Sequence, residues 1–297
     1  MTDITGPDRV ETSSPTLRTG TTPHSRSLRA TSLRVLRYII IALVVIIFAF
    51  PIAWMLLSSF KTQIDITTND NLFVFTPTLQ NYQNVFQQQN YLQYLFNSFL
   101  VAAVSTLFSL ILGLPAAYGI ARFRAHWLGL VLLTARIIPG ITFLVPWYII
   151  FGQLRLLGSY WALILSHMLV GLPFIAWVMI PFFESLPQEL EESARIDGAS
   201  TFGAFIRIAL PLAVPGIATA SIMSFIFSWN NFMFSLVLAG DDTRTLPIAI
   251  FNFLSYSSVD WGGLMAAAVV ITLPVLIITL FVQRYIVAGL TAGATKG

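Results

Sequence analysis

The groups best able to relay protons, hold ions or serve as acids and bases in this sequence are its 13 carboxylates, and none falls inside any of its six long apolar runs. Those runs are 38–57, 94–121, 127–153, 156–183, 208–240 and 262–283. Proton- and sodium-coupled carriers generally depend on carboxylates at membrane depth. Their absence counts against the main rival reading, an ion-coupled secondary carrier acting without an ATPase. Two ionisable residues remain within the runs, Arg136 and His167. A guanidinium is costly in hydrocarbon, so Arg136 must face a wet cavity, snorkel to the surface or pair with a neighbouring subunit's carboxylate. His167, alone between Ser166 and Met168, reads as a hydrogen-bonded packing residue rather than a relay. In the fifth run Trp229-Asn230-Asn231-Phe232 sets two amides between aromatics. Unsatisfied amides at that depth are expensive, so the pair either lines a path for polyhydroxyl solutes or glues helices together.

Other chemistries are missing. The sequence holds no G-x-x-x-x-G-K-[ST] phosphate loop, no H-E-x-x-H helix, no G-x-S-x-G elbow and no metal-ligand cluster. With no cysteine, disulfides, thiolate metal sites and cysteine nucleophiles are excluded. No catalytic residue, metal or cofactor is expected, and the chain is not an enzyme. If it moves solute uphill, a separate protein must supply the energy. Net charge +3 and a pI near 9.3 do not point to nucleic acid, because the basic residues sit at the ends of apolar runs instead of forming a stripe.

The elements that position these groups follow from composition. A chain of 297 residues that is 56% hydrophobic and 10% charged, with mean hydropathy +0.79, cannot hide its apolar surface in one water-soluble core. Each of the six runs reaches the roughly 20 residues of a spanning helix, which predicts an all-α, polytopic membrane bundle of six transmembrane helices. Pro51, Pro115, Pro139, Pro146, Pro173, Pro215 and Pro274 lie within the runs, so kinks are expected. Residues 1–33, rich in Ser, Thr, Pro and Arg, read as a disordered basic tail rather than a signal peptide, leaving 34–297 as the bundle domain. With the N-terminus inside, twelve Lys and Arg lie on the cytoplasmic side and three, Lys61, Arg155 and Arg244, on the other. That asymmetry predicts a multi-pass protein with both termini cytoplasmic.

The most charged stretch between apolar runs is 187–199. Ser185 with Gln188 three residues on gives a helix-start pattern, Pro187 suits a first turn, and the acids crowd the positive end of the helix dipole. Gly198 is placed for a left-handed cap, and Ser200 for the cap of a second short helix. By pattern alone this knuckle is either a docking surface or an ordinary interfacial hairpin. Its spacing adds more: Glu192-Ser193-Ala194, three residues, Gly198, nine residues, Ile208, one residue, Leu210-Pro211.

That spacing resembles the E-A-A-x3-G-x9-I-x-L-P loop of ATP-binding-cassette (ABC) importer permeases, with Ser193 as the one departure. Other stretches resemble the carbohydrate-importer permeases, similar to the smaller membrane subunit of maltose-type transporters. They include Pro77-Thr78-Leu79-Gln80-Asn81-Tyr82, Asn97-Ser98, 116–122, Leu157-Gly158-Ser159-Tyr160-Trp161, Trp229-Asn230-Asn231-Phe232, Thr245-Leu246-Pro247 and the tail 283–297. Asn231 stands where the family often has Glu. The resemblance implies a type I ABC importer permease fold with a cytoplasmic coupling helix in the loop 184–208. Glu192, Ser193, Ala194, Asp197, Gly198, Ile208, Leu210 and Pro211 would then couple to the ATPase, and Arg136, Trp229, Asn230, Asn231 and Phe232 are candidates for the translocation path. It also implies a bacterial cytoplasmic-membrane location, a second homologous permease, two ATP-binding subunits, an extracytoplasmic solute-binding protein or lipoprotein, and a sugar or polyol as substrate.

Overall fold

The computed structural model describes residues 24–68, 72–88, 90–254 and 258–294. The chain divides into two compact units, 1–53 and 54–297. The first is the larger part of α1 (His24–Ser58), which begins inside the stretch expected to be disordered; residues 1–23 lie outside the described residues. Side chains such as Ile40, Val44, Ile47 and Phe48 are exposed, as suits a helix solvated by lipid.

The second unit carries, in order, α2 (Gln63–Thr67), α3 (Gln80–Gln88), α4 (Tyr91–Arg122), α5 (His126–Ile137), α6 (Leu144–Gln153), α7 (Tyr160–Ser185), α8 (Gln188–Ile196), α9 (Thr201–Ala204), α10 (Leu210–Leu212), α11 (Val214–Trp229), α12 (Met233–Leu238), α13 (Leu246–Ala249) and α14 (Trp261–Ala294). Among the described residues four continuous helices are long and apolar enough to span a membrane, and two bent pairs bring the number to six. The third run folds as α5 and the segment Gly140–Gln153 at 86° to each other. Ile138, extended at ψ 123°, precedes Pro139, whose ring excludes the helical conformation from its neighbour. The fifth run is not one helix. It breaks by 79° at Ala213, just before Pro215, and again after Trp229 at the two asparagines. Pro51, Pro115, Pro173 and Pro274, by contrast, lie inside continuous helices.

The core is the contact of α4 with α7, with α11 packed on both and α14 on α11. On α4 the buried stripe runs Ser105, Ser109, Gly113, Ala117 and Ala121, one small residue per turn. Lipid supplies no hydrophobic drive between helices, so small residues that let backbones approach are what close such a contact. A Cβ on Gly171 of α7 would sit 2.9 Å from Ser109 Oγ on α4 and 2.9 Å from Ser224 Oγ on α11. Three helices therefore meet at this glycine.

The start of α4 is tied to loops by buried polar bonds. Asn97 donates to the carbonyls of Asp242 and Arg244 at 2.9 and 2.8 Å and accepts from the Tyr160 hydroxyl at 2.7 Å. Ser98 Oγ accepts from Leu246 N at 2.7 Å, and Thr243 donates to the Gly158 carbonyl at 2.9 Å. Asn81 donates to the carbonyls of Ser59 and Lys61, each at 2.8 Å. Several of the family-like stretches thus meet at one end of the bundle, where each supplies a residue that satisfies loop backbone.

Candidate coupling knuckle and polar groups of the bundle

At the other end of α4 lies α8. Its N-cap is Pro187, extended at ψ 124°, with no side-chain cap bond, and Glu189 and Glu191 lie in its first turn. Ser185 does not start this helix; it closes α7, donating to the Phe182 carbonyl at 2.7 Å. The C-terminus is as expected. Gly198 has φ +91°, its N–H reaches the Arg195 carbonyl at 3.0 Å, and Ala199 N–H reaches the Ala194 carbonyl at 3.0 Å. These two bonds are the paired closure of a helix end that needs a left-handed residue. Ser200 Oγ then accepts from Gly203 N at 3.0 Å and caps α9. A π-helical turn, Phe205–Ala209, leads from α9 into α10.

Glu192, Ser193, Asp197 and Gly198 are exposed, Ala194, Ile208 and Leu210 are half-buried, and Pro211 is exposed in α10. Ser193 Oγ turns back onto its own helix, donating to the Glu189 carbonyl at 2.8 Å. Glu192, Arg195, Ile196, Ala199, Ser200 and Thr201 line an open recess. Large apolar side chains stand exposed beside these charges: Ile196 is 87% exposed and Phe202 67%. This combination of exposed apolar anchors and charge on a rigid helical turn suits a protein partner.

Glu191, the neighbour of the motif's Glu192, points the other way and is the one buried residue of α8. It accepts from the Tyr118 hydroxyl at 2.6 Å and from Arg122 Nε at 3.0 Å, and Arg122 Nη2 completes a forked ion pair. Tyr118 also packs edge-on against Phe183 at 5.7 Å and lies against Phe205 at 4.7 Å.

Within the bundle, Arg136 near the end of α5 is held by ring faces. Its guanidinium lies 4.4 Å from the Phe174 ring centre, 5.5 Å from Phe227 and 5.8 Å from Trp177. It borders a cavity of about 490 Å³ shared with Phe143, Trp147, Pro173 and Phe227. His167 is buried, its Nδ1 2.6 Å from Ser228 Oγ, which is 3.1 Å from Ser105 Oγ. That chain crosses from α7 through α11 to α4, which makes His167 a packing group between helices. In the aromatic and amide stretch, Trp229 makes the interhelical bond, Nε1 donating to the Ile271 carbonyl of α14 at 3.1 Å. Asn230 is exposed and donates to its own helix at the Ile226 carbonyl, 3.0 Å away. Asn231 Oδ1 accepts from Phe234 N at 3.0 Å and so starts α12, while Phe232 stacks on Phe251 at 5.4 Å. Neither asparagine bridges two of the long helices through these bonds.

Residues 109–292, well over half of the chain, match the family described as binding-protein-dependent transport system inner membrane component. The chain belongs to that family. It is a membrane-embedded permease subunit of an ABC importer, and the ATP hydrolysis of such systems lies in separate subunits. The permease is 36% identical over 267 residues to the sulfoquinovosyl glycerol transport system permease protein of Agrobacterium fabrum, covering 88% of this chain and 94% of the relative. It is 34% identical to the trehalose/maltose transport system permease protein of Thermococcus litoralis, covering 89% of this chain and 97% of the relative. In fold it is similar to a chain of a bacterial ABC transporter involved in import of the acidic polysaccharide alginate, with a TM-score of 0.73 at 19% identity over 88% of this chain and 98% of that one.

The permease's buried clamp is what reading the residues in sequence overlooked. Tyr118 and Arg122 stand one turn apart at the end of α4, the spacing at which two side chains share a helix face. An i, i+4 pair of a hydroxyl and a cation at a span's end, with an acidic helix later in the chain, was the available signal.

Proposed function

We propose that this permease, with a second homologous permease, forms the path for a sugar or polyol across a bacterial cytoplasmic membrane, with both termini and α8 on the cytoplasmic side. Two ATP-binding subunits would seat α8 and α9, and an extracytoplasmic binding protein or lipoprotein would deliver solute to the far end. The observation that carries the coupling role is the α8–Gly198–α9 knuckle. Its backbone is fixed by the paired closure at Ala194 and Arg195 and by the Ser200 cap, while Glu192, Asp197, Ile196 and Phe202 stay exposed. A rigid turn with an unburied face transmits displacement instead of absorbing it. Closure of the ATPases on ATP biases the bundle only as far as ATP binds one of its states more tightly.

The carbohydrate reading is supported by relatives named for sulfoquinovosyl glycerol, trehalose and maltose. It is also supported by the ring-lined cavity beside Arg136, since ring faces and a multi-donor cation suit a polyhydroxyl solute. Arg136, Trp229, Asn230, Asn231 and Phe232 are the proposed path residues. The test is purification of the tagged permease from its native membrane, followed by uptake of labelled trehalose, maltose and a sulfonated glycoside into liposomes. Stoichiometric ATPase subunits and ATP-dependent uptake of at least one solute are expected. Flux driven by an ion gradient without any ATPase would overturn the reading.

A further inference from the structure

The clamp at Glu191 is where a buried side chain of α8 is held to the end of α4. Among the described residues α8 buries only Glu191. Its carboxylate, with a side chain 9% exposed, is held by Tyr118 and by the fork of Arg122, equally buried. Among the described residues Arg122 Nη1 has no hydrogen-bond partner, and the Nε and Nη2 bonds to Glu191 are the ones that compensate this guanidinium. The Tyr118 ring adds contacts to Phe183 at the end of α7 and to Phe205 in the π-helical turn. Four segments of the chain are therefore joined at one buried ion pair.

We propose that Glu191, Arg122 and Tyr118 are positioning residues that relay displacement of α8 to α4 and α7, so that the exposed face of α8 docks while its buried carboxylate transmits. This rests on the reading of α8 as the ATPase-docking helix. A forked, charge-assisted pair resists both translation and rotation, which a greasy contact does not. The exposed apolar residues of α8 make no comparable hold on the bundle: Leu190 is 46% exposed and Ile196 87%.

The test uses the full complex in liposomes and a readout independent of the solute. A reporter cysteine replaces Leu169, which is exposed beside the Arg136 cavity, and its labelling rate by an impermeant maleimide is measured with and without ATP and vanadate. In the parent complex ATP is expected to change that rate. With Glu191→Gln, the ATPase subunits should still co-purify and hydrolyse ATP while the ATP-dependent change falls at least severalfold. The exchanged pair Glu191→Arg with Arg122→Glu should recover part of it. An unchanged response in Glu191→Gln overturns the relay, and so does loss of ATPase co-purification, which would make the clamp part of the dock. Failure of the parent itself to hold ATPase would instead sink the docking reading. If Glu191→Gln does not reach the membrane, Tyr118→Phe, which deletes a single hydroxyl, decides by the same measurement.

Discussion

Replacing Gly198 separates backbone strain from surface bulk at the knuckle. With φ +91° this residue sits where an L-residue with a Cβ is penalised, yet a Cβ built there meets nothing within 4 Å. The cost in the isolated permease is therefore conformational rather than steric, about 1–2 kcal/mol for an ordinary residue. It corresponds to roughly 5- to 30-fold in the population of the seated turn. Valine, β-branched, should lie at the upper end and alanine lower, while asparagine should lose least because it tolerates the left-handed region. The assay is a titration of purified ATPase subunit against permease in nanodiscs, read as the midpoint of binding, with membrane level as the control. Gly198→Val should shift the midpoint by the upper part of that range at normal membrane level. Wild-type binding by Gly198→Val would mean that the left-handed turn does not govern docking. A midpoint worse for Asn than for Ala would show that bulk against the partner, and not strain, governs the site.

Asn230→Leu removes an exposed amide that bonds only to its own helix, so assembly and ATPase binding should match wild type while sugar uptake drops severalfold; a failure to assemble would return this residue to packing. Gly171→Val thrusts bulk between Ser109 and Ser224 where three helices meet, and should cost about 1–3 kcal/mol, read as a lower unfolding temperature in detergent with binding at the knuckle retained once folded. Cysteines at Leu79 and Thr201, both exposed and near opposite ends of the bundle, should react with an impermeant thiol reagent from opposite faces of the membrane; labelling of both from one face would overturn the topology.

What the sequence discloses and what it withholds divide along local and tertiary lines. The Gly198 turn, the Ser200 cap and the four unbroken spans were legible because each is decided within a few residues, by φ tolerance, by a side chain reaching its own backbone, or by length in hydrocarbon. Whether a proline kinks or breaks a span was not. Pro139 and Pro215 lie at large bends, while Pro115 and Pro173 lie in unbroken helices packed along each other, and that packing is tertiary. The same limit hid Glu191. Two adjacent acids on a nine-residue helix point about 100° apart, and which of them turns inward is set by Arg122, 69 residues earlier. The resemblance drew the eye to the outward one.

The π-helical turn over Phe205–Ala209 gives the fixed length of the knuckle motif a meaning as phase. From Thr201 to Leu212 the chain is helical, so each residue there also sets roughly 100° of rotation about the local axis. The π turn takes up an extra residue, and beyond it Leu210 packs on the bundle core while Pro211 stays exposed. Shortening the loop by one would not slacken it. It would turn Leu210, and the direction in which the 79° bend at Ala213 sends α11, by about 100° relative to the start of α9, much as a gear meshed one tooth off still spins but drives the wrong position.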